Sequence, residues 1–229
     1  MKKLTAYFTR GEIALWSIST ALIVIAFAAF DRENFLTLSA SLIGVTSLIF
    51  NAKGNPFGQL LMVVFSLLYG VISWSFSYYG EMITYLGMTM PMAVVALVSW
   101  LKHPYQGNRA QVKIDHLGGK EWIFMWLLTA AVTAGFYFIL KWFDTANLAL
   151  STLSVATSFA AVYLTFRRSP YYAVAYAAND LVLIALWALA SMEKMSYLSV
   201  VVCFAAFFAN DIYGFLCWWE MGARQAKNL

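Results

Sequence analysis

Charge is scarce in this sequence: of 229 residues only 11% are Asp, Glu, Lys or Arg, against 62% hydrophobic. Soluble domains carry roughly 25% charged residues, so this chain has too few to wet its own surface. A water-soluble enzyme, a nucleic-acid binder and a disordered chain are excluded. Cysteine is nearly absent too, and Cys203 and Cys217 cannot build a disulfide framework. On one helix they would stand about 21 Å apart, beyond any disulfide. The histidines are His103 and His116, both in a polar stretch, and no cluster has metal-ligand spacing. There is no glycine-rich phosphate loop, so the chain does not hydrolyse ATP by itself. Neither a mid-membrane lysine for a Schiff base nor a G-x-S-x-G nucleophile motif occurs. Nothing points to catalysis, and no cofactor is called for.

What is present is long apolar sequence, with a mean hydropathy of +0.71. A spanning helix needs about 20 apolar residues, and the few charges act as rulers. Glu12 to Asp31 encloses 18 uncharged positions, Glu33 to Lys53 19, Lys53 to Glu81 27, and Glu81 to Lys102 20. A polar stretch with Pro104, Gly107, Gly118 and Gly119 follows. Then come 19 positions from Glu121 to Lys141 and 22 from Asp144 to Arg167. Two last spans, at 169–192 and 195–219, are each interrupted by one acid. This predicts an all-α polytopic membrane protein with eight transmembrane helices and short loops. The first apolar run exceeds the 7–15 residues of a signal-peptide core, so it reads as a retained helix.

Orientation follows from the basic residues. With the N-terminus inside, the inner segments carry Lys2, Lys3, Arg10, Lys53, Lys102, Arg109, Lys113, Lys120, Arg167, Arg168, Arg224 and Lys227; the outer loops carry Arg32, Lys141 and Lys194. Both termini are expected in the cytoplasm. The net charge of +4 is then a topology signal, and no nucleic-acid partner is implied.

The chain also repeats itself. Asn55-Pro56-Phe57 resembles Ser169-Pro170-Tyr171, and Ser99-Trp100 resembles Cys217-Trp218, at offsets of 114 and 118 residues. Two parallel three-helix bundles joined by a connector helix are predicted. The segments are 1–33 with an extra N-terminal helix, 34–102 as the first bundle, 103–143 as a cytoplasmic loop and connector, 144–220 as the second bundle, and 221–229 as a cytoplasmic tail.

Acids inside the apolar bulk are the best clues to a site. Asp180 and Asp211 each cost about 2.5–3.5 kcal/mol at mid-membrane on insertion scales, and each follows an asparagine, Asn179 and Asn210. Such groups either line a ligand cavity or bond a neighbouring helix. Tyr172, Tyr176, Asn179, Leu183 and Trp187 form one stripe of the seventh helix; Phe207, Asn210 or Asp211, Gly214 and Trp218 form one on the eighth. Gln59, Ser66 and Ser73 line the third helix beside Tyr69. Aromatic faces next to amides suit a flat polar ring, and a cationic ring gains further from the π-faces. The alternative is ordinary packing, or interface belts at Trp100, Trp122, Trp218 and Trp219. Pro91 breaks the fourth helix, where freed backbone groups line a cavity or only kink the helix.

Asn51-Ala52-Lys53-Gly54-Asn55-Pro56-Phe57-Gly58, Tyr78-Tyr79-Gly80-Glu81-Met82 and Pro91-Met92 together resemble the first repeat of PnuC-type nicotinamide riboside transporters. Tyr176-Ala177-Ala178-Asn179-Asp180-Leu181-Val182-Leu183, Ser196-Tyr197 and Asn210-Asp211-Ile212-Tyr213-Gly214-Phe215 resemble the second, so that the likeness covers 34–220. The resemblance implies a three-plus-one-plus-three, SWEET-like core in the plasma membrane and a homotrimer. It implies facilitated uptake of a nucleoside-like vitamin, nicotinamide riboside by default, trapped by a cytoplasmic kinase. Asn179 and Asn210 fit the family pattern. A tryptophan pair before the asparagine is replaced by Tyr172 and Ala175, and a glutamine after the proline by Ala93. Related members with other pockets carry thiamine, riboflavin or deoxynucleosides, so the substrate stays open. A vitamin-binding subunit that needs ATPase partners, and a proton-coupled carrier using Asp180 or Asp211, are the competing readings.

Overall fold

A computed structural model describes residues 7–75 and 78–228. Lys2 and Lys3, counted among the inner basic residues, lie outside the described residues. Eight helices among the described residues are long and apolar enough to cross a membrane. They are α1 (Arg10–Phe30), α2 (Phe35–Ala52), α3 (Pro56–Ser75), α4 (Tyr79–Lys102), α5 (Gly119–Trp142), α6 (Leu148–Phe166), α7 (Tyr172–Ser191) and α8 (Leu198–Lys227). A hairpin of β1 (Pro104–Tyr105) and β2 (Asn108–Val112) sits between α4 and α5. Its two turn residues, Gln106 and Gly107, both have positive φ, as a tight hairpin turn requires.

The polar residues at helix ends fix where each helix starts and what it meets. Thr9 and Glu12 form a reciprocal capping box at α1, satisfying backbone donors that the first turn leaves free. The Glu12 carboxylate also pairs with Lys53 Nζ at 3.1 Å, tying α1 to the end of α2. Pro91 does not break α4, as the sequence led us to expect. Lacking an N–H, it cannot bond the carbonyl four residues back. The helix accommodates this by widening into a π-turn over Tyr85–Thr89, where Met90 N donates to Tyr85 O.

Six helices close a ring. Going round it, α2 packs on α3, α3 on α4, α4 on α6, α6 on α7, α7 on α8, and α8 back on α2. Helix α1 lies outside against α8 and α2, and α5 lies outside against α6. Their outward faces are apolar, with Ile18 and Ile25 on α1 and Trp126, Leu127 and Phe138 on α5 exposed. Inside a bilayer that surface meets lipid, and every backbone group is satisfied within its own helix.

At the end of the ring where Lys53, Lys102, Lys113, Arg167 and Arg168 gather, α2–α4 and α6–α8 make matching bonds. We call this the basic end. Trp100 Nε1 on α4 donates to Thr165 O on α6 at 2.9 Å, and Trp218 Nε1 on α8 donates to Asn51 O on α2 at 2.7 Å. The two indoles contact each other with centroids 5.2 Å apart, and both are fully buried. They are therefore no interface belt, although Trp219 is exposed as a belt residue would be. The turns after α2 and α6 match as well. Gly54 and Arg168 both have positive φ, +65° and +58°. Gly54 N bonds Asn51 O and Arg168 N bonds Thr165 O; Asn55 N bonds Phe50 O and Ser169 N bonds Leu164 O.

The chain from His103 to Leu117 crosses this end as a strap. Val112 N donates to Gly54 O, and Asp115 N to Arg168 O, so one short segment holds both turns. Gln225, near the end of α8, brackets the strap: its Oε1 accepts from Ile114 N and its Nε2 donates to Val112 O. Arg168 adds bonds to Lys113 O, Ser99 Oγ and the Asp115 carboxylate. Burial lowers the pKa of its guanidinium, opposed by Asp115 and reinforced by Arg167.

Candidate functional site

Aromatic rings fill the inside of the ring toward the end opposite the basic one. Tyr69 on α3 stacks on Phe65 and meets Tyr85, Phe204 and Trp187. Helices α3 and α7 are not neighbours round the ring, so the 2.6 Å bond from Trp187 Nε1 to the Tyr69 hydroxyl crosses its interior. Tyr78 and Tyr197 flank Trp187, at 4.8 and 5.4 Å between centroids. Beside Tyr69 a slit of about 10 Å³ is left, lined by Ser41, Phe65, Cys203 and Phe204. That volume is at the limit for a single water, so the interior at this level is closed.

Below the aromatic layer lie the acids. Asp180 on α7 and Asp211 on α8 come within hydrogen-bonding reach of each other, both buried. One oxygen, Asp180 Oδ2, has no hydrogen-bond partner. Tyr172 and Tyr176 lie within electrostatic reach of Asp211, and Tyr85 within reach of Asp180. Four of the sequence-predicted residues, Asp180, Asp211, Tyr172 and Tyr176, are thus brought together. Tyr172 is also fully packed against Trp218, with ring centroids 4.7 Å apart.

The two asparagines do not meet. Asn179 Oδ1 on α7 accepts from three hydroxyls of α6, those of Thr157 at 2.9 Å, Ser158 at 3.0 Å and Ser154 at 3.4 Å. Asn210 Nδ2 on α8 donates instead to Ser19 Oγ on α1, at 2.9 Å, and to Ala206 O. Consecutive residues on a helix point about 100° apart, so when Asp211 faces α7, Asn210 must face elsewhere. Its Oδ1 has no partner. Gln59 lies in the first turn of α3 near the basic end, donating to Asn51 Oδ1 at 2.9 Å.

Glu81 is the residue whose burial the sequence reading missed. Used as a ruler, it marked the edge of the fourth span, and it does lie in the first turn of α4; yet it is only 1% exposed, turned beside Ser154 of α6 and within electrostatic reach of Tyr69 and Tyr85. The 27-residue gap from Lys53 to Glu81 was the available signal, since it is longer than one span needs. Ser154 and Ser158, which hold Asn179, had no signal beyond being polar on an apolar helix.

A closed ring of membrane-spanning helices, with acids and stacking rings turned inward and amides holding neighbouring helices, is the architecture of a multi-pass membrane transporter. Comparison with known proteins agrees. The model of the family described as nicotinamide mononucleotide transporter matches residues 34–220. A nicotinamide riboside transporter PnuC of Neisseria mucosa is 26% identical over 221 residues, 93% of this chain and 82% of that protein. One of Haemophilus influenzae is 20% identical, covering 84% of this chain and 82% of its own length. A crystal structure of the vitamin B3 transporter PnuC superposes with a TM-score of 0.83 at 22% identity, over 95% of this chain and 94% of that one, and shares the fold. The chain belongs to the nicotinamide mononucleotide transporter family.

Proposed function

We propose that this chain carries nicotinamide riboside across the plasma membrane by facilitated diffusion. The observation that carries the reading is the family match over 34–220, joined to a helix ring whose interior holds buried acid and aromatic groups. In this reading α2–α4 and α6–α8 are duplicated halves that rock around the interior, with α5 as their connector and both termini in the cytoplasm. The basic end is then the inner face. Asn179, Asp180, Asp211, Tyr176 and Trp187 border the path, while Tyr172, Gln59 and Asn210 support it from behind, from the basic end and from the α1 side. Phosphorylation by a cytoplasmic kinase traps the product, so that a chain with no energising motif of its own still accumulates substrate. The protein assembles as a homotrimer and acts as a carrier, not an enzyme.

Purified protein in liposomes tests this. Nicotinamide riboside is expected to equilibrate without ATP or an ion gradient, and Asn179→Ala to lose uptake at normal expression. Protein-loaded vesicles that leak no faster than empty ones overturn the carrier reading. A second reading, in which the substrate is thiamine, riboflavin or a deoxynucleoside, is favoured by Tyr172. Its ring is packed between Trp100 and Trp218 rather than turned to an interior cavity. Competition by those compounds, and not by nicotinamide riboside, is what that reading predicts. A vitamin-binding subunit would bind tightly yet transport nothing alone, and a proton-coupled carrier would follow a pH gradient.

A further inference from the structure

Three acids are buried inside the ring, Glu81, Asp180 and Asp211, and no basic side chain among the described residues is buried with them. The basic side chains sit at helix ends and in loops. Glu12, the other buried acid, has Lys53 beside it. Nor do any three acidic, histidine or cysteine side chains among the described residues converge as a metal site would require. Glu81 is the extreme case: both of its carboxylate oxygens are buried, and the polar group beside them is the neutral Ser154 hydroxyl, which is turned to Asn179. Removing a charge from water without a counter-charge is strongly unfavourable, more so inside a bilayer.

Aromatic faces accompany it, and other polar atoms inside the helices lack partners. Asp180 Oδ2, Ser66 Oγ, Ser73 Oγ and Thr89 Oγ1 are buried without hydrogen-bond partners. Tyr69 and Tyr85 hold their rings 4.3 Å apart within electrostatic reach of Glu81, Tyr85 being presented by the π-turn of α4. A carboxylate beside aromatic faces stabilises a flat positive ring twice, by charge and through the π-quadrupoles. A neutral ring of the same shape leaves the acids uncompensated.

We infer that Glu81, supported by Asp180, makes the interior site selective for a positively charged aromatic ring over its uncharged counterpart. This rests on the carrier reading above and adds to it the charge of the substrate. Nicotinamide riboside fits, because its pyridinium ring carries a permanent positive charge, whereas the dihydro form is neutral with the same ribose and carboxamide. Glu81 is a specificity residue in this account, and Tyr69 and Tyr85 form the faces beside it.

The test compares binding of nicotinamide riboside and of its dihydro form to the full-length purified protein by calorimetry. The wild-type chain is expected to prefer the cation by about tenfold or more. Glu81→Gln is expected to collapse that ratio towards one, while Glu81→Asp, which keeps the charge, retains most of it. Monodisperse elution and an unchanged melting temperature certify the variants. If Glu81→Gln does not fold, the wild-type ratio and the Asp variant decide. Equal affinities in the wild type, a preference for the neutral form, or a ratio unchanged in Glu81→Gln each overturn the inference and leave the carrier reading standing. Binding of neither form removes nicotinamide riboside as the substrate. The same comparison between thiamine, a permanent cation, and neutral riboflavin then decides the charge rule on its own: preference for thiamine upholds it, and any other result ends it.

Discussion

At the basic end, α2–α4 and α6–α8 are near copies: each turn has a left-handed residue, Gly54 or Arg168, and each third helix lends a tryptophan to the other half. Halfway through the membrane they part. Asp180 lies 114 residues beyond Ser66, and Asp211 118 beyond Ala93, so the offsets that align the turns and the tryptophans pair an acid with a hydroxyl and with a methyl. Closing the ends of a helix ring is a packing problem that both halves solve alike. Recognising an asymmetric molecule between them is not, and there the side chains have diverged.

The comparison can be broken most sharply at the tryptophans. Trp100→Ala and Trp218→Ala each empty a fully buried site and remove an indole hydrogen bond between the halves, and each should cost about 3–5 kcal/mol. Melting in detergent should fall by a similar amount for both; a large loss in one and none in the other ends the claim of equivalence.

Gly58 comes next. A Cβ there would stand 2.7 Å from the backbone nitrogen of Asn51, which cannot swing aside. Gly58→Ala should cost about 1–3 kcal/mol by overpacking, although residue 172, at the same offset, is a tyrosine. An unchanged melting temperature shows that α2 and α3 can part more freely than drawn.

Gly54→Ala probes the left-handed turn itself. With φ of +65° the added Cβ is strained by about 1–2 kcal/mol. Arg168 tolerates nearly the same φ because its side chain bonds Ser99, Lys113 and Asp115. Arg168→Ala, stripped of those bonds, should therefore destabilise more than Gly54→Ala does, as urea titration of the purified protein can show.

The smallest effect belongs to the crossing bond of the aromatic layer. Trp187→Phe and Tyr69→Phe each remove it and should cost about 0.5–1.5 kcal/mol. Combined, they should cost less than the sum of the two, since the bond is lost only once. Full additivity in a thermal double-mutant cycle separates the two rings energetically.

Much of the frame could be read from charge alone. Long gaps between Lys53, Lys102, Glu121 and Arg167 located helices correctly because a bilayer tolerates charge mainly at its faces. That same premise hid the burial of Glu81, since a ruler made of charges takes a charge at a helix end for a solvated one. Asn210 and Asp211 were legible as polar, but which of them faces α7 is decided by helix rotation, which adjacent positions leave open. The strap was invisible for a different reason: Gly54 O and Arg168 O are backbone acceptors, and no residue type announces them.

The strap has one mechanical consequence. Val112 and Asp115 are three residues apart, and three residues pulled straight reach about 10 Å. While both bonds hold, the turns after α2 and α6 are tethered by a cord of fixed length. The aperture at this end thus has an upper bound written in peptide units, and widening past it demands that one knot slip.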